Sequence, residues 1–144
     1  MTPVDRDVVR RKLARVVKSL RRLRAAKDQA LSDYLADEDL QAILERHLEV
    51  IVAAAVDLNV HLLVQSGFAT PADAYTSFLD LSAQTNALPR DLADKLAPST
   101  GLRNRLAHGY EDVDPSLVYA GLHEALDLFP RYVEAVEAFL ERAR

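Results

Sequence analysis

The stretch Gly101-Leu102-Arg103-Asn104-Arg105-Leu106-Ala107-His108-Gly109-Tyr110 gathers side chains that move protons and hold anions. A histidine with an ordinary pKa near ~6.5 gives or takes a proton at neutral pH. An arginine grips phosphate with a two-pronged fork. An amide (Asn104) and a phenol (Tyr110) complete the polar set, which holds no carboxylate of its own to chelate magnesium. Such a set suits metal-independent cleavage of RNA. There the 2′-hydroxyl attacks the adjacent phosphorus, and the protein needs only to transfer protons and stabilise the charged phosphorane. The same residues also read as a plain helix C-terminus. Gly109 can take the left-handed position past the last turn, Tyr110 can pack back over it, and His108 meets the negative end of the helix dipole. Residue types alone leave both readings open.

Other chemistries find less support. The histidines are His47, His61, His108 and His123, and none has the tight spacing of a metal-binding pair with a carboxylate between. Asp57 and His61 stand four residues apart, as a metal pair or as an ordinary helical side-chain pair. Gly67, Gly101, Gly109 and Gly121 are scattered, so no glycine loop cradles phosphate, and no Gly-x-Ser-x-Gly elbow presents a nucleophilic serine. Cysteine is absent, which excludes disulfides, thiolate metal sites and a cysteine nucleophile.

Charge is uneven along the chain. Residues 1–30 carry ten Lys/Arg against three acids, while the other 114 residues carry eight against nineteen, for a net charge of −4. A basic helix on an acidic body is the footprint of an RNA site, with Arg10, Arg11, Arg15, Lys18 and Arg22 as candidate contacts. It is also, and more commonly, the pattern of a basic helix packed on acidic neighbours in this chain or in a partner. The start Met-Thr-Pro-Val-Asp-Arg-Asp does not read as a signal peptide. The longest apolar run, Val50 to Val56, falls far short of the roughly 20 residues that span a bilayer. The expectation is a cytoplasmic protein without membrane association.

With 144 residues, 49% apolar and 28% charged, the chain is expected to form a single domain over residues 1–144. Thr2-Pro3 opens a helix with the stripe Val9, Leu13, Val16, Val17, Leu20 and Leu23. Asp37 or Asp39 caps a second, long helix striped by Leu40, Leu44, His47, Ile51, Ala54, Leu58 and Leu62, and Ser66-Gly67 ends it. Thr70-Pro71 opens a third through about Ala83, and Leu88-Pro89 a fourth with Leu92 and Leu96 apolar. Pro98 breaks that helix and Ser99 recaps the chain, so that a helical segment carries Arg103–Ala107 to Gly109. Asp114-Pro115 opens a fifth helix with Val118, Leu122, Leu126 and Leu128 apolar. Phe129-Pro130 interrupts it before Tyr132, Val136, Phe139 and Leu140. Strand alternation and hairpin signals are missing before Gly67. The fold class is all-α, an up-and-down bundle of about five helices.

The segment Arg103-Asn-Arg-Leu-Ala-His108-Gly-Tyr110 has the pattern Arg-x4-His-x-Tyr and resembles the HEPN ribonuclease domain, in particular HepT-like toxins of bacterial toxin–antitoxin pairs. The resemblance covers most of the chain. It includes the basic first helix, the long second helix with the run Glu49–His61, and the final helices after an acidic loop. It implies that Arg103 and His108 form the catalytic pair, with Asn104 positioning them. It implies a homodimer whose two motifs face each other across one cleft, which would supply separate acid and base groups. It implies that Tyr110 accepts AMP from a partner minimal nucleotidyltransferase, the antitoxin. The added negative charge would then fill the anion site and repel RNA. Asp57 and His61 match second-helix polar positions that support the site, and neither a cofactor nor a metal is implied.

Two other readings compete with an RNA-cutting toxin. One is a non-catalytic helical subunit that binds substrate for, or docks onto, a nucleotidyltransferase. Activity on RNA separates it from the first. The other is a DNA-binding helical protein, disfavoured by the lack of a helix-turn-helix signature and by the net charge.

Overall fold

The elements follow from where the chain can cap and bury itself. A computed structural model describes residues 5–108 and 113–142. Asp5 caps α1 (Arg6–Leu23), accepting hydrogen bonds from the backbone of Asp7 and Val8. The expected Thr2-Pro3 opening lies outside the described residues. A single 3-10 turn leads to the short α2 (Leu31–Leu35), which the sequence pattern did not announce. Tyr34 pins α2 into the core, its ring 5.4 Å from that of Tyr119.

Asp37 caps α3 (Glu38–Gln65), accepting from the Leu40 backbone at 3.0 Å. Gly67, at φ 91°, ends it: Phe68 N–H reaches the Leu63 carbonyl at 2.9 Å and Gly67 N–H that of Val64 at 3.0 Å. By length and composition alone α3 could cross a membrane, although its uninterrupted apolar runs are short. Half of its most apolar window is buried against other helices, as befits the central helix of a bundle. On its expected stripe, Leu48 takes the buried place that His47 was assigned.

The third helix opens at Asp73, not at Thr70-Pro71. The Asp73 carboxylate accepts from Thr76 N–H at 2.7 Å, a stronger cap than a threonine hydroxyl can provide. α4 (Ala74–Asp80) then widens into a π turn over Leu81–Thr85, closed by Asn86 at φ 59°. Pro98 separates α5 (Arg90–Leu96) from α6 (Ser99–Ala107), as expected. Ser99 does not recap α6, because its hydroxyl donates backwards to the Leu96 carbonyl at 2.6 Å.

Pro130 does not interrupt the last helix. α7 (Pro115–Arg142) runs through it without a break. A proline inside a helix costs about 3 kcal/mol. On either side of it Leu128, Phe129, Tyr132, Val133 and Val136 are buried, each contributing about 1.5–3 kcal/mol, so packing outweighs the lost bond.

Buried side chains from every α-helix except α6 join one hydrophobic core, and α6 adds Leu102 and Leu106 from its edge. α1 lies along α3 as its main neighbour, and α7 packs against both. α6 rests on α3 and α7. Gly121 allows the second of these contacts, since a Cβ there would sit 2.6 Å from Leu102 Cδ2. A buried polar chain ties three helices together. The Tyr132 hydroxyl donates to Asn59 Oδ1 at 2.6 Å, with the Ala55 carbonyl at 3.1 Å, and Asn59 Nδ2 donates to Ser77 Oγ at 3.1 Å.

Two tyrosines in this core differ in one respect that stability measurements can read. Tyr132 has its hydroxyl satisfied, whereas the buried Tyr34 hydroxyl has no partner, and burial, then Glu45, push its pKa up to about 12. Tyr132→Phe should therefore cost about 1–3 kcal/mol in urea unfolding, because Asn59 loses its donor. Tyr34→Phe should be neutral or stabilising. Equal losses in both would contradict this account of the core.

Candidate active site

Arg103 projects from the middle of α6 into an open cleft of about 390 Å³. The cleft is bounded by Arg15 of α1, by Arg46, Glu49, Val50, Ala53, Ala54 and Asp57 of α3, and by Arg103 and Ala107 of α6. On α3, positions 46, 49, 53 and 57 recur at steps of three and four, so they share one face. Ala53 and Ala54 contribute only methyl groups there, and that leaves the space. Arg103 and Ala107, four apart, form the α6 wall.

The Arg103 guanidinium is held at one corner. Its Nη1 donates to Asn104 Oδ1 at 3.3 Å, while its half-buried side chain leaves Nε shielded and without an acceptor. An unmet buried donor is costly, and an acceptor oxygen on a ligand would relieve it. His108 caps the C-terminus of α6, exposed, its N–H donating to the Asn104 carbonyl at 3.1 Å. His108 follows the cleft-lining Ala107 directly, yet its ring is not among the cleft-lining groups. Tyr110 and Gly109 lie outside the described residues.

Asp57 faces the cleft, but it does not pair with His61. Its carboxylate takes an ion pair from Lys12 of α1 instead. His61 lies one turn further on, half-buried, its Nε2 shielded and without a hydrogen-bond partner. Among the described residues no group of three or more His, Asp or Glu stands ready to hold a metal ion. The segment around Arg103 has no carboxylate, yet folding brings Glu49 and Asp57 to it, each next to a cation.

The basic residues of α1 divide between two surfaces. Arg11, Arg15, Lys18 and Arg22 form one stripe by helical spacing, all exposed, with Arg15 in the cleft. Arg10 and Lys18 also border a groove against α7, with Arg21 and the acids Glu134, Glu137 and Glu141 across from them. Part of the basic helix thus does pack beside acidic neighbours. Sequence reasoning missed Arg46 and Glu49 as cleft residues. Their step of three on an apolar helix was a signal for a paired polar face, but it could not show which helix lay opposite.

Several known proteins resemble this chain. Residues 12–136 match the family model Ribonuclease HepT-like. The tRNA nuclease HepT of Aphanizomenon flos-aquae is 34% identical over 140 residues, spanning 97% of this chain and 95% of that protein. The mRNA nuclease HepT of Shewanella oneidensis is 25% identical over 132 residues, spanning 92% and 98%. The fold matches that of the tri-AMPylated Shewanella oneidensis HEPN toxin, solved in complex with MNT antitoxin, with a TM-score of 0.82 at 25% identity. That match covers 93% of this chain and 99% of the solved one.

His47, which follows the cleft residue Arg46 on α3, titrates in a defined direction. Burial first, then the charges of Arg22 and Arg46, hold His47 below its ordinary value of 6.5. In the window just below 6.5 the unfolded chain therefore binds more protons than the folded one. The stability this group contributes is complete above 6.5 and is lost as pH falls through the folded value. His47→Gln should flatten the acid side of the stability curve between about pH 7 and 5, followed by urea melts. A steeper acid loss in the variant would reverse that assignment.

Proposed function

The chain belongs to the HepT-like ribonuclease family, and we propose on that premise how its own residues cut RNA and how the cut is silenced. It is the ribonuclease component of a toxin–antitoxin pair, in line with the nucleases it resembles and with the toxin solved beside its antitoxin. The observation that carries the residue-level reading is Arg103, presented in an open basic cleft with a donor unmet.

In this reading Arg103 binds the scissile phosphate, and Asn104 steadies its guanidinium. The RNA 2′-hydroxyl attacks phosphorus, giving up its proton to an imidazole. The 5′-oxygen leaves with a proton from a second imidazole. The products carry a 2′,3′-cyclic phosphate and a free 5′-hydroxyl, and no metal takes part. Two imidazoles are needed, and His108 supplies one per chain, so a homodimer with apposed α6 ends provides the acid and the base. Asp57 and His61 support the cleft wall, and the α1 stripe of Arg11, Arg15, Lys18 and Arg22 guides the strand towards it. The enzyme works in the cytoplasm, where RNA and its antitoxin meet it.

Silencing acts through Tyr110. A minimal nucleotidyltransferase antitoxin transfers AMP from ATP to the phenol oxygen: the phenol loses its proton, attacks the α-phosphorus and displaces pyrophosphate, in line with the tri-AMPylated state of the Shewanella oneidensis toxin. Each phosphodiester adds a negative charge two residues from His108. That charge competes with RNA for Arg103.

Two outcomes are expected. With EDTA present, purified protein should cleave total RNA to 2′,3′-cyclic ends, while Arg103→Ala and His108→Ala lose activity by at least about 10²-fold. Cleavage by neither the wild type nor the variants, with Tyr110 unmodified by intact mass, would favour the non-catalytic subunit. Separately, Tyr110→Phe should gain no AMP mass on incubation with the antitoxin and ATP, and should remain growth-inhibitory beside it. Labelling of that variant at full yield would place the acceptor elsewhere.

A further inference from the structure

Arg46 has no part in the chemistry above, yet it stands where two basic surfaces meet. It lines the cleft together with Arg15 and Arg103, so that three helices each contribute a guanidinium to one opening. Its side chain is 75% exposed, while its partner Glu49, one turn along α3, is only 16% exposed. The carboxylate therefore lies on the floor and the guanidinium at the rim. They touch through one nitrogen, Nη1, at 3.4 Å from Glu49 Oε2. That single long contact fixes where the arm emerges and leaves the other donors of the fork free for an anion.

The other surface is the α1 stripe. α1 and α3 run antiparallel, with Lys12 beside Asp57 at one end and Arg22 acting with Arg46 on His47 at the other. Arg22 and Arg15 are seven residues apart on α1, about 10 Å along the helix. Arg46 is a neighbour of each: it shares His47 with Arg22 and the cleft with Arg15 and Arg103. Counting Lys12, four cations face two carboxylates around this opening, so the surplus is positive although the chain as a whole is acidic.

We propose that Arg46 is a positioning residue that clamps the phosphate of the nucleotide next to the cleaved one, leading the backbone from the α1 stripe into the cleft. The clamp rests on the ribonuclease reading for its ligand, single-stranded RNA. It assigns Glu49 the task of aiming the clamp. Arg46 makes no contact with the reacting atoms.

The test is binding of a fluorescent 2′-O-methyl RNA oligonucleotide, which cannot be cut, to the full chain at a series of salt concentrations. Each phosphate contact on a single strand contributes about 0.7 to the slope of log K against log salt. Arg46→Ala should weaken binding about tenfold or more at low salt and lower the slope by about 0.7. Arg46→Lys should keep the slope. Arg90→Ala, which removes an exposed arginine paired with Asp94 on α5 away from the cleft, should change neither. On cleavable RNA, Arg46→Ala should raise KM with kcat held within about twofold, as loss of uniform binding does. An unchanged slope in Arg46→Ala, an equal loss in Arg90→Ala, or a fall in kcat at constant KM would each overturn the clamp while leaving RNA cleavage standing. Absence of any salt-dependent binding by the wild type would instead remove the ribonuclease reading, and the clamp with it.

Discussion

Along the seam between α1 and α3 one helix pair has to satisfy two demands at once. On the inside, Val9, Leu13, Val16, Leu20 and Leu23 meet Leu44, Leu48, Ile51, Ala55, Leu58 and Leu62 in the core. On the outside the same two helices bring basic α1 beside the polar face of α3, and the Lys12–Asp57 pair ties the two edges. The antiparallel register that buries the apolar stripes also decides which cations stand over which part of α3. The cleft is therefore a by-product of core packing. Shifting α1 by one turn would cost buried area and would move Arg15 away from Arg103 together.

The electrostatic character of the opening depends on that register more than on composition. Nineteen of the chain's acids fall beyond residue 30, and a random surface drawn from that part would repel a polyanion. Where α6 meets the seam, however, the two carboxylates present each have a cation within ion-pair distance, and Arg15 and Arg103 remain over. Pairs of this kind, each with one partner open to solvent, are individually weak, about 0–1 kcal/mol. They do not hold the fold together. Their effect is to neutralise acid at the place where an anion would arrive and to leave the forks of the arginines oriented.

Local signals were readable from the sequence and long-range ones were not. Asp37, Gly67 and Pro98 act through backbone groups within a few residues of themselves, so their effect on helix ends follows from residue type. The all-α class and the sequence order of the long helices follow from such signals and from apolar spacing. Pro130 misled because its local cost was visible while the burial of Phe129 and Tyr132 on distant helices was not. Asp73 replaced Thr70-Pro71 because a carboxylate makes the stronger cap, a ranking available in principle from the sequence. Asp57 and His61 were paired by spacing. The actual partner, Lys12, is 45 residues away and is brought there only by the α1–α3 register. The same limit hid Arg46, whose neighbours on α1 and α6 are not neighbours in sequence. Arg103 and Asn104 stood out because their segment is dense in polar types, and its chemistry could be framed before its surroundings were known.

Gly121 has an importance out of proportion to its chemistry. It sits on α7, far from any proton or phosphate, and contributes nothing but the absence of a side chain. Leu102 fills that absence, and the next residue along the chain is Arg103. The height of the arginine above the cleft floor is therefore measured from bare backbone on a different helix. A methyl group at position 121 has two ways to be absorbed. Leu102 can change rotamer and leave α6 in place, or α6 can lift and take Arg103 with it. If Arg103 binds the scissile phosphate as proposed, a displacement of about 1 Å there would cost on the order of 10²-fold in rate. The position of Arg103 is thus open to change through volume alone, by a route that substitutes no charged or polar residue of the cleft.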